Sequence, residues 1–181
     1  MEARRPMTFK RPGLHYNDLQ PCNLSKLNVE SYARKVADAA HYAIGADLKP
    51  VVDAFGGRLH YQDLDEWVSE SGSIFVHGRR DFDLLLASHT SPLRDRFTIA
   101  HELGHYFLHA RQGDRPIVAN RECTNKRAEW EANWFAAALL MPESDVKSAW
   151  NNTADVDYIA SRFGVSRAAA TVRLRVLDCV K

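Results

Sequence analysis

The apolar positions of the chain change period several times. From Asn28 they recur every three or four residues through Tyr32, Val36, Ala40 and Ala43, which is the spacing that lines one face of an α-helix. Ser25 or Asn28 caps this helix and Gly45 stops it, so it is predicted to end near Ile44. A short helix is predicted over residues 47–55, with Pro50 in its first turn. Gly56-Gly57 breaks the chain there. Residues 58–62, 73–77 and 82–87 read as strands, the last two joined through Gly78-Arg79-Arg80. Ser91-Pro92 opens a helix predicted to reach His109. Residues 112–124 read as loop, residues 125–140 as a strongly apolar helix closed by Pro142, and residues 155–178 as two helices joined at Gly164.

Composition narrows the class. A chain of 181 residues suits one domain with a small appendage and can bury a core without disulfides. Hydrophobic residues make up 45% and charged residues 26%, which excludes wholesale disorder, collagen and long coiled coil. Apolar runs fall well short of the roughly 18 residues of a membrane helix, so no membrane partner is expected. The 24 basic and 23 acidic residues leave a net charge of +1, so any nucleic-acid contact must come from a local patch. Cys22, Cys123 and Cys179 are odd in number and far apart, which predicts no disulfide framework and a cytoplasmic location. Residues 1–27, with Arg4, Arg5, Lys10 and Arg11 among prolines, read as a mobile basic arm. No apolar stretch follows it, so no secretory signal is expected.

Candidate chemistry lies in His101-Glu102-Leu103-Gly104-His105. On a helix, residues four apart differ by only about 40° in direction, so His101 and His105 project side by side. Two imidazoles at that spacing can hold one Zn²⁺. Glu102 stands on the flank, where it can serve as the catalytic base without taking a coordination position. Phe97, Ala100, Leu103, Gly104, Phe107 and Leu108 share the core-facing arc, while the opposite arc carries three histidines in a row, His101, His105 and His109. The remaining histidines, His60 and His77 among them, have no ligand-like spacing and read as structural.

Zinc that keeps an open position needs a third protein ligand. In residues 127–142, Glu131 shares its face with Ala128, Trp134, Phe135, Ala138 and Leu139. An ionised carboxylate in an apolar stripe is costly unless paired or metal-bound, which makes Glu131 the expected ligand. Glu129, near Asn133 on another side, is the fallback or a residue that orients an imidazole. His89, Tyr106 and His109 are candidates to line the cleft and supply a second electrophile, and the pattern does not choose among them. A fourth protein ligand would close the site, so His109 is not counted as one.

The stretches RDRFTIAHELGHYFLH and EWEANWFAAALLMP resemble the ImmA/IrrE family of metallopeptidases, in motif, order and separation, across residues 30–180. The resemblance implies a zincin-like α+β fold, with a small sheet packed on the HExxH helix. It implies metal ligation by His101 and His105, catalysis by Glu102, and a downstream ligand at Glu131 in the Glu-Ala-Asn element. It also implies a cytoplasmic regulatory protease paired with a helix-turn-helix repressor or antitoxin, as in toxin-antitoxin or stress-response systems. The arm lies outside the resemblance.

Three parts are therefore expected: the arm (1–27), a metallopeptidase domain (28–145) and a helix-turn-helix-like subdomain (146–181). In the last, Ser166 caps a second helix that opens Arg-Ala-Ala-Ala, which offers few side chains for reading bases. Arg167, Thr171 and Arg175 are candidate phosphate contacts, but packing or protein binding is the favoured role. The leading functional expectation is a zinc endopeptidase, with one Zn²⁺ per chain and a repressor or antitoxin as protein substrate. The alternative is a regulator or toxin that acts by DNA or protein binding, with zinc mainly structural. An intact Glu102 argues against it, since a structural site needs no base beside the metal.

Overall fold

The computed structural model describes residues 9–62, 73–120 and 125–180. Seven α-helices and four strands are found among them: α1 (Lys26–Ala39), α2 (Lys49–Ala54), β1 (Gly57–Gln62), β2 (Ile74–Gly78), β3 (Asp81–Ala87), α3 (Pro92–Gly104), β4 (Ile117–Ala119), α4 (Lys126–Leu140), α5 (Glu143–Thr153), α6 (Val156–Phe163) and α7 (Arg167–Val176). The sheet order is β1-β3-β2-β4. β1 runs parallel to β3, and the other pairs are antiparallel. The fold is mixed α+β, as expected. β4 lies inside the expected loop; three residues are too few to show a period.

Strand alternation gives the sheet two unlike faces. Ile74, Val76, Phe82, Leu84, Leu86 and Ile117 are at most 1% exposed and belong to the core shared with the helices. Phe75 and Leu85 point the other way and form a small cluster with Phe9. The chain before α1 is laid against the body of the protein: Asn17 bridges to Ile117, and the backbone N–H groups of Cys22 and Asn23 both bond the Glu131 carboxylate. Within the expected arm, Phe9, Asn17, Cys22 and Asn23 are thus anchored to the body of the protein while most of their neighbours stay exposed or half-buried, and Arg4 and Arg5 lie outside the described residues. Burial of Phe9 and these backbone hydrogen bonds offset the entropy of ordering the segment.

Two helix ends also differ from expectation. α1 stops at Ala39 because His41 takes a left-handed conformation (φ 51°), and Tyr42 N–H reaches back to Ala37 C=O at 2.9 Å. This is a Schellman-type stop with histidine standing in for glycine. α3 ends at Gly104, and residues His105–His109 form a wider π-type turn in which Ala110 N–H donates to His105 C=O.

α3 and α4 cross closely. A Cβ built on Gly104 would lie 3.0 Å from Ala132 Cα, so the glycine inside HExxH sets the helix spacing. That contact holds the face of α4 carrying Glu129 and Asn133 against the two histidines. The C-terminal helices have no separate core: Ile159, Phe163, Ala170 and Leu174 are fully buried in the main one. Arg173 on α7 ties it further, donating from Nε to Met141 C=O and from Nη1 to Glu30 on α1. Gly164, at φ 62°, makes the turn between α6 and α7. No helix among the described residues is long and apolar enough to cross a membrane.

Candidate metal centre

Ser91 caps α3 and Pro92 occupies its first turn, an arrangement that starts the helix firmly. His101 on α3 and His105, the first residue of the π-type segment, meet edge-to-face with ring centroids 4.8 Å apart. Their Nε2 atoms are 3.1 Å apart. Glu129 completes the group: its Oε2 lies 3.3 Å from His101 Nε2 and its Oε1 3.4 Å from His105 Nε2. Tetrahedral zinc bonded at about 2.0–2.1 Å sets its donor atoms about 3.3 Å apart, so these three spacings fit such an ion. Glu129 Oε1 is also buried without a hydrogen-bond donor, as an atom reserved for a cation would be.

The electrostatics set the two imidazoles apart. Burial penalises the charged form of both imidazoles. It wins at His105, whose pKa is pulled down to about 4. At His101 the Glu129 carboxylate outweighs burial and the pKa rises. Glu129 itself is held well below the usual carboxylate range, because His101 and His105 outweigh the cost of its burial. A neutral imidazole and an ionised carboxylate are the forms that ligate metal, so His105 and Glu129 are biased toward those forms, whereas His101 gives up a proton when an ion binds. His101 Nδ1 lies 3.0 Å from Asn133 Oδ1, which orients the ring.

Glu102 is 4% exposed and lines the same cleft of about 210 Å³, together with His101, His105, Glu129, Arg94 and Thr98. Arg94 and Thr98 precede His101 by seven and three residues, so helical spacing was the signal that could have found them. Ser73 and Asn120 also line the cleft, from the ends of β2 and β4. No sequence pattern links them to α3.

The structure places the other expected residues as follows. Glu131 does not join the imidazole pair. It is fully buried on the far side of α4, bonded to Cys22 N–H, Asn23 N–H, His109 and Arg127. The premise that a buried carboxylate needs partners holds, but its partners are hydrogen-bond donors. His109 is not at the rim: it is 3% exposed, turned inward toward Glu131. Tyr106 stacks on Phe82 at 4.2 Å, and its hydroxyl is taken by Arg80 N–H and Gln112 C=O. His89 is exposed in the turn before α3, outside the cleft lining. Arg167 pairs with Asp157, and Thr171 donates to Arg167 C=O, which leaves Arg175 as the one exposed cation of that trio without such a contact among the described residues. Cys123 lies outside the described residues.

The class to which the fold points is that of the metallopeptidase-type families, and the comparisons support it at the level of family. The chain belongs to the ImmA/IrrE-type family described as the IrrE N-terminal-like domain (Peptidase_M78), whose profile matches residues 52–175. Membership implies a bound metal ion. Among similar proteins, immunity region protein 2 of Bacillus phage phi105 is 25% identical over 168 residues, covering 92% of this chain and 95% of that protein. Metallopeptidase ImmA of Bacillus subtilis (strain 168) is 27% identical over 82 residues, which is 45% of this chain and 48% of ImmA. A solved structure, a Mycobacterium tuberculosis transcriptional regulator, shares the fold with a TM-score of 0.54 at 20% identity, over 82% of this chain and 46% of its own. The chain thus spans less than half of ImmA and of that regulator.

Proposed function

We propose that the protein is a zinc-dependent endopeptidase of regulatory type, acting on a DNA-binding repressor or antitoxin. The observation that carries the reading is Glu102, buried in the cleft beside the convergent donors of His101, His105 and Glu129. Those three residues would hold the ion, with Glu129 in the place expected for Glu131. When bound, zinc polarises a substrate carbonyl and lowers the pKa of water to about 7.

The chain's own contribution is then positional and acid–base. His101, His105 and Glu129 would supply three protein donors to the ion in the cleft that Glu102 also lines. Glu102 takes a proton from the attacking water on a carboxylate oxygen. The hydroxyl oxygen bonds to the carbonyl carbon, the C–N bond breaks, and Glu102 returns the proton to the departing amine. Arg94, the cation in the cleft lining, is placed to meet an acidic group of the substrate. The repressor-type substrate is supported by the company the chain keeps: an immunity-region protein, ImmA and a transcriptional regulator.

Incubating the zinc-loaded chain with the repressor or antitoxin encoded beside its gene tests the reading. Wild type should cleave that partner, while Glu102→Gln should bind equal zinc and cleave at least 100-fold more slowly, in line with the roughly 10²–10⁴-fold worth of a positioned base. Equal cellular effects of the two would assign the output to binding, with zinc structural.

A further inference from the structure

We propose that His109 and Glu131 are positioning residues for the metal centre, forming a carboxylate–imidazole–imidazole relay that presets His105 with its proton on Nδ1 and its Nε2 lone pair facing the cleft. The inference rests on His105 being a ligand and goes further by naming what makes it one.

The chain of reasoning starts at Glu131. Its Oε1 accepts from Asn23 N–H at 2.8 Å and Arg127 Nε at 2.9 Å. Its Oε2 accepts from Cys22 N–H at 2.8 Å and lies 3.0 Å from His109 Nε2. An ionised carboxylate only accepts, so the hydrogen in the last contact sits on His109 Nε2. The Arg127 guanidinium already balances the Glu131 charge, and His109 is 3% exposed, so a neutral ring is favoured at His109. A neutral ring protonated at Nε2 has a lone pair at Nδ1.

That lone pair meets His105 Nδ1 at 2.9 Å. Two ring nitrogens bond only when one carries hydrogen, so His105 Nδ1–H donates. His105 Nε2 is therefore bare, 3.1 Å from His101 Nε2 and 3.4 Å from Glu129 Oε1. Metal-bound histidines commonly donate their second N–H directly to a carboxylate; here a second imidazole is inserted between the two. The π-type turn at His105–His109 carries both rings. The relay also ties the chain at Cys22 and Asn23 to the centre through Glu131.

Cys22, His109 and Glu131 also lie close enough together to hold a metal of their own. That use conflicts with the relay. Glu131 would have to give up donors it already binds, and a metal on His109 Nε2 would push the proton to Nδ1, leaving His105 to accept and its Nε2 to carry hydrogen.

Long-range ¹H–¹⁵N spectra of the metal-free full chain read the tautomers directly. His105 is expected with hydrogen on Nδ1 and His109 with hydrogen on Nε2. His109→Phe, which keeps the ring volume without nitrogens, should lower zinc affinity by roughly 10–100-fold. The relay is overturned by a His105 Nε2–H tautomer in the wild type, or by unchanged zinc affinity in folded His109→Phe. A thiolate charge-transfer band in Co²⁺-loaded protein that vanishes in Cys22→Ser would also overturn it, in favour of a second metal site. If His109→Phe does not fold, the wild-type tautomers decide alone. The zinc reading fails separately, when His101→Ala retains full zinc binding.

Discussion

Two clusters in this protein place a carboxylate among histidines, and they are built for opposite ends. On the outer face of the sheet, Asp83 takes Arg58 Nε at 2.7 Å, Arg58 Nη2 at 2.9 Å, His60 Nε2 at 2.7 Å and His77 Nε2 at 2.8 Å. Tyr16 closes the back of His77 at 2.7 Å. A guanidinium supplies the counter-charge and donors occupy both oxygens, so no lone pairs converge on a common point. In the cleft, two imidazoles and Glu129 face one another with no guanidinium paired to the carboxylate among the described residues, and their donor spacings match a small cation. What separates a metal centre from a structural knot is therefore which lone pairs are left over.

Removing the converging carboxylate should have the largest effect. Glu129→Gln is expected to abolish stoichiometric zinc binding, while Glu131→Gln keeps zinc but binds it more weakly and lowers the melting temperature of the metal-free chain. Metal analysis beside thermal unfolding checks this, and the reverse order would return Glu131 to the role of ligand. In the outer cluster the expectation inverts. Asp83→Asn should cost roughly 1–3 kcal/mol of stability, since it weakens the bonds of the buried His77 and leaves the half-exposed Arg58 without its anion, and zinc content should stay at wild type. Denaturant titration measures the loss; an unchanged midpoint would mean that the cluster is merely decorative.

A smaller effect separates the clusters by pH. Burial opposes ionisation of Asp83, but Arg58, His60 and His77 outweigh it and hold its pKa far below the usual value. A depressed folded-state pKa gives stability that is present above the unfolded value and lost as pH falls through the folded one. The metal-free chain should therefore lose stability progressively below about pH 4, and Asp83→Asn should flatten that part of the curve. An identical acid limb in both proteins would assign the loss to other carboxylates.

The chain alone determined that His101 and His105 stand side by side with Glu102 next to them, because the i, i+4 geometry of a capped helix is local and needs no partner to form. It also determined the mixed α+β class, the strand pair closed at Arg79-Arg80 and the helix pair turned at Gly164, each signalled by neighbouring residues. It favoured Glu131 over Glu129, since an apolar face was read as the one that meets the histidines, and helical spacing alone does not say which face meets which neighbour. Tertiary structure made that choice: the close approach of Gly104 to Ala132 aims Glu129 at the histidines, and Cys22 and Asn23, more than a hundred positions away in the chain, draw Glu131 the other way. The π-type turn that buries His109 and the anchoring of Phe9 and Asn17 on the sheet were likewise decided in three dimensions. Hydrogen bonds and buried surface between distant segments have no period in the sequence, so only the folded chain could express them.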